Sequence, residues 1–73
     1  MEEIKRELRT KAYIVKGLTN LLRKDADYIS EDVAEYDLVG LGESVREIKV
    51  TIQSLIDHIE DIEYLLYDVK RYI

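Results

Sequence analysis

The sequence predicts an all-α protein, an antiparallel two-helix hairpin that dimerises into a four-helix bundle. Three observations predict it. Two long apolar stripes advance at alternating spacings of four and three, two glycines lie close together between the stripes, and proline and cysteine are absent from all 73 residues. Steps of four and three mark one face of a helix; a strand would alternate with period two.

Helix 1 is expected over about residues 3–37. Its stripe is Leu8, Ala12, Val15, Thr19, Leu22, Ala26, Ile29, Val33 and Tyr36. Small residues fill every second place, which lets a neighbouring helix approach while the large ones interdigitate. Ser30 followed by Glu31-Asp32 resembles a helix start and would give three helices, but the stripe runs straight through it.

The bend is expected over about residues 38–42. Gly40 can take the left-handed conformation that ends a helix, and Gly42 permits the turn into the next. Helix 2 follows over about residues 43–72, with the coiled-coil-like stripe Leu41, Val45, Ile48, Ile52, Leu55, Ile59, Ile62, Leu66, Val69 and Ile73. Glu43 and Glu47 near its start and Lys70 and Arg71 near its end suit the helix dipole. The whole chain, 1–73, is read as one domain whose two stripes face each other.

A core of this size rarely supplies more than about 3–5 kcal/mol without a staple. Disulfides and thiolate metal sites are excluded by the lack of cysteine, which leaves a partner chain. Apolar residues flank both stripes: Ile4, Ile14, Leu18, Leu21 and Tyr28 on helix 1, and Ile56, Leu65 and Tyr72 on helix 2. They are the expected dimer interface, because a widened apolar stripe belongs to a helix inside a bundle. Lys11, Leu18 and Asp25 share one column at spacing seven. A two-fold axis at Leu18 would set Lys11 of one copy against Asp25 of the other.

Charge is unevenly distributed. Residues 1–24 hold seven Lys/Arg against three Glu, residues 25–47 hold eight Asp/Glu against Arg46, and the chain nets −5. The bend is therefore an acidic pole. Charged residues make up 37% of the chain while Asn20, Gln53 and Met1 are each alone of their type, a mix common in thermophile proteins. The acidic start Met1-Glu2-Glu3 and the lack of a membrane-length apolar run lead to the expectation of a soluble, cytoplasmic protein without a membrane partner.

Most chemistry is disfavoured. Gly40-Leu41-Gly42 is too short for a phosphate cradle, and Glu43 follows it where a lysine would be needed. His58 is the one imidazole, too few for a catalytic triad with any redundancy; with Asp61 it is a candidate metal ligand or pH switch at a two-fold axis. Asp57, Glu60, Asp61 and Glu63 are expected to point outward, towards Arg6, Arg9 and Lys16 of helix 1, and not into a metal-binding interior. No cofactor and no enzyme activity are expected.

Binding remains. Val50, Tyr64 and Tyr67 fall opposite the helix 2 stripe, and tyrosine suits contact surfaces because its body is apolar and its tip polar. They are candidate contacts to another protein, in keeping with a non-enzymatic interaction or regulatory module. Lys5, Arg9, Lys16 and Arg23 run along one side of helix 1 as an alternative, a nucleic-acid surface. Against that stand a pI of 4.8 and the acidic second helix.

Overall fold

Two antiparallel helices make up the computed structural model, which describes residues 2–71. Helix α1 spans Glu2–Ala34 and α2 spans Leu38–Arg71. The pair forms a rod of 54 × 14 × 13 Å. Helix α1 passes through Ser30 without a break, and the Asp32 carboxylate is taken up across the hairpin by Ser44.

The bend sits at residues 35–37 and not at 38–42, and no glycine makes it. Tyr36 carries the left-handed backbone, with φ 55°, while no glycine has positive φ among the described residues. The Tyr36 amide donates to the Val33 carbonyl at 3.2 Å, and the Asp37 amide donates to the Asp32 carbonyl at 2.9 Å. That pair of bonds is a Schellman cap, which satisfies carbonyls left over at the helix end. Asp37 then starts the next helix. Its carboxylate accepts from the Gly40 amide at 3.0 Å, and its carbonyl accepts from the Leu41 amide at 2.9 Å. One residue closes α1 and caps α2.

Both Gly40 and Gly42 therefore lie inside α2. A Cβ at Gly40 would meet the Asp37 carboxylate, 2.9 Å from its Cγ, so the capping side chain would have to shift. Glu43 and Glu47 fall beyond the first turn of α2, which holds no acid, and Asp37 supplies the negative charge at that end. Lys70 and Arg71 do occupy the last turn.

The helices are also rotated from the expected facing. On α1 the half-buried positions include Leu8, Val15, Leu22 and Ile29, alternating with Ile4, Lys11, Leu18 and Asp32 and the buried Asp25, with Ile14 beside them. On α2 they include Leu41, Ile48, Leu55, Ile62 and Val69, alternating with Ser44, His58 and Leu65 and the buried Thr51, with Gly40 and Ser54 beside them. Every second member of the sequence stripes is left outside this seam: Ala12, Thr19, Ala26 and Val33 on α1, and Val45, Ile52, Ile59 and Leu66 on α2, are exposed. In an antiparallel pair these two columns flank the same side of the seam. The two heptad stripes thus look out together over one open face and do not meet each other squarely.

No apolar side chain is fully buried among the described residues; the two buried ones are Asp25, 4% exposed, and Thr51, 5% exposed.

Candidate interaction surfaces

Three polar ties set the rotation of the seam. Near the bend, the Ser44 hydroxyl donates to Asp32 Oδ2 at 2.6 Å. Further along, the Thr51 hydroxyl donates to Asp25 Oδ2 at 2.8 Å, with the Glu47 carbonyl at 3.1 Å as its acceptor within the helix. Towards the open end, Lys11 Nζ donates to Asp61 Oδ2 at 2.7 Å and to His58 Nδ1 at 3.1 Å. Burying a polar group is costly unless it is bonded, and none of the buried side-chain N/O atoms among the described residues lacks a partner. Each α1 group meets its complement as the two chains of residues run in opposite directions.

Lys11 and Asp25, expected to face each other across a two-fold axis, both have partners within the hairpin. Asp25 is buried against Thr51 of its own hairpin, and Lys11 is engaged with His58 and Asp61. The Lys11 hydrogen bond, helped by the Lys11 charge, holds the Asp61 carboxyl below its ordinary value of 3.8. His58 and Asp61, the candidate metal ligands, stand 4.0 Å apart with the Lys11 ammonium bonded to both. No group of three His, Cys, Asp or Glu that could hold a metal ion occurs among the described residues.

The basic row is exposed, and most of it is unpaired. Arg9, Lys16 and Arg23 make no salt bridge among the described residues, and Lys5 reaches Glu2 only at 3.7 Å on an open surface. The expected pairing of Arg6, Arg9 and Lys16 with the acids of α2 does not form: Asp57 accepts instead from Gln53 at 3.0 Å, and Asp61 from Lys11. The row therefore borders the open face as free charge.

Val50, Tyr64 and Tyr67 are exposed but do not form one patch. Tyr64 and Tyr67 line a shallow hollow with Glu60 and Glu63, whereas Val50 lines another with Leu21, Asp25, Arg46, Glu47 and Thr51.

The flanking residues read as a dimer interface are also spread out. Ile4, Leu18 and Leu65 are half-buried in the columns that carry the polar ties. Ile14, Leu21 and Tyr28 lie on the side away from the open face, where Leu21 and Tyr28 share hollows with Glu47. Ile56 is exposed on α2 beside Ile52 and Ile59, and Tyr72 lies outside the described residues.

The open face is the surface that sequence reading missed, although its residues were all in view. From Leu8 to Val69 the two columns that line it on each helix contain no charged residue. Its large aliphatics Val33, Val45, Ile52, Ile59 and Leu66 are between 41% and 55% exposed. The periodicity identified the stripes; only the rotation shows that they remain uncovered.

No family model matches the chain, and no curated protein or solved structure does either. The fold defines it as an all-α hairpin with two helices packed against each other. No helix among the described residues is long and apolar enough to cross a membrane.

Proposed function

We propose that the chain is a non-enzymatic protein-interaction or regulatory module that works as a homodimer, two hairpins joined into a rigid four-helix bundle. One observation carries the reading: among its described residues the hairpin buries no apolar side chain fully, yet keeps a charge-free aliphatic face in solvent. Each large aliphatic side chain moved out of water contributes about 1.5–3 kcal/mol. Covering the four exposed aliphatics of α2 is of the size needed to offset the cost of bringing two chains together. The bundle would present its outer surfaces, including the hollow at Tyr64 and Tyr67, to another protein.

Light scattering over a range of concentrations tests it. A molar mass of twice the 8.6 kDa chain is expected. A mass that stays at one chain up to high concentration would contradict the bundle.

The unpaired Arg9, Lys16 and Arg23 favour a second reading, nucleic-acid binding along α1. Phosphate contacts of this kind weaken steeply with salt. Binding of a labelled RNA hairpin or DNA duplex that is lost both in salt and in Lys16→Glu/Arg23→Glu would support it, and no binding at low salt would exclude it.

A further inference from the structure

We infer that the open face is the dimer interface, and that a second copy of this chain seats on it with the two bends at opposite ends of the bundle. The inference rests on the homodimer proposed above and specifies its surface.

The hairpin has two flanks on which a copy could sit. On one, Leu21 and Tyr28 share their hollows with the Glu47 carboxylate. Asp61 and Asp68 lie in the same heptad column as Glu47, so a copy docking there would cover three acids, of which Asp61 alone is paired, to Lys11. On the other, Val45, Ile52, Ile59 and Leu66 repeat every seventh residue beside the small Ala12 and Ala26, and nothing charged interrupts them. Only the second flank can be dried without stranding charge.

Its size fits as well. A footprint the length and breadth of the rod, 54 by 14 Å, is of the order of the roughly 800 Å² per partner buried in a standard stable interface. Because the same surface serves both copies, the contact closes on itself as a two-fold dimer and does not propagate.

Charge chooses the orientation. Residues 25–47, around the bend, carry eight acids against one base, while residues 1–24 carry seven bases against three acids. With bends at the same end, two acidic poles would lie side by side. With bends at opposite ends, each acidic pole lies over the basic start of the other copy's α1. Then α1 rests on its counterpart near Thr19, where Ala12 and Ala26 permit close approach, and α2 rests on its counterpart between Ile52 and Ile59.

Three variants and a fourth that carries a spin label test the inference. Ile52→Glu/Ile59→Glu should halve the molar mass at concentrations where the unsubstituted chain is a dimer, and Leu21→Glu should leave it dimeric. A dimer that survives the first and is lost with the second would overturn the inference and leave the homodimer standing; an unsubstituted chain that is always monomeric would remove both. Because charged substitutions can unfold a hairpin, Thr19→Cys gives a mild check. Its thiol, the only one in the chain, should react slowly with a maleimide when the chain is dimeric and rapidly on dilution. Rapid reaction in the dimer would overturn the proposed face. A spin label at Glu35→Cys should report a separation close to the 54 Å length of the rod. A short separation, with the bends together, would overturn the orientation.

Discussion

The two sides of this hairpin do different work. The side carrying Asp25–Thr51, Asp32–Ser44 and Lys11–Asp61 is tied by hydrogen bonds whose partners must line up one by one. The side carrying Val45, Ile52, Ile59 and Leu66 is aliphatic and open. Directional bonds specify register and rotation but contribute only about 0.5–1.5 kcal/mol each net. Apolar contact is tolerant of geometry but contributes more in total. The contrast is one of roles: polar ties line α1 up with α2, and in the proposed dimer the aliphatic side would supply the energy of joining a second copy.

Ile59→Ala probes that division hardest. If a second copy covers Ile59, the substitution should cost about 2–5 kcal/mol, as for a buried aliphatic; if solvent covers it, about 0.5 kcal/mol or less. Urea unfolding monitored by circular dichroism separates the two. On the other side, Thr51→Val removes the donor to buried Asp25 and should cost about 1–3 kcal/mol. Adding Asp25→Leu should recover most of that loss, because both partners are then apolar. A double variant as unstable as the single would mean that the tie stabilises in its own right and does not chiefly set register.

The bend belongs to neither side, so changes there should move stability without changing molar mass. Gly40→Ala should destabilise, since its Cβ meets Asp37, whereas Gly17→Ala, with open space around it, should stabilise by about 0.5–1 kcal/mol. Tyr36→Gly relieves a left-handed strain of about 1–2 kcal/mol. Glycine's greater freedom when unfolded takes back part of it, leaving a gain of about 0.5–1 kcal/mol. Thermal melts check all three.

The smallest effect lies at Lys11–Asp61. Asp61 titrates below its unfolded value of 3.8, so its contribution is present above that pH and is lost as the pH falls through the lower folded value. The pair is open to solvent, so this acid-dependent loss should shrink in high salt and vanish in Asp61→Asn. An acid transition unchanged by Asp61→Asn would remove the tie from the account.

Much of the fold was legible in the sequence. Steps of four and three from Leu8 and from Leu41 can only be read as helices, and the short connection makes them neighbours running in opposite directions. The bend falls earlier than the glycines imply, because an aspartate cap and not a glycine makes it. Asp37, three residues before Gly40, was the available signal: a side chain that can cap the helix whose third residue is a glycine. The rotation was harder to see. Hydrophobicity alone ranks Ala12, Thr19 and Ala26 with the seam and Lys11 and Asp25 outside it. The reverse follows only when Asp25 is matched with Thr51 and Asp32 with Ser44 across an antiparallel register. The interaction surfaces were less legible, because a row such as Arg9, Lys16 and Arg23 gives no hint from spacing alone whether α2 neutralises it.

The central claim is that this hairpin is completed by a second copy of itself, and the concentration dependence of its unfolding tests that most directly. When folding and association are coupled, mass action makes the midpoint of unfolding rise with protein concentration. Thermal melts across a hundred-fold range should show the midpoint climbing steadily. A midpoint that does not move, with one cooperative transition at every concentration, would mean that the single hairpin is the complete folded unit and that its aliphatic face is not a dimer interface.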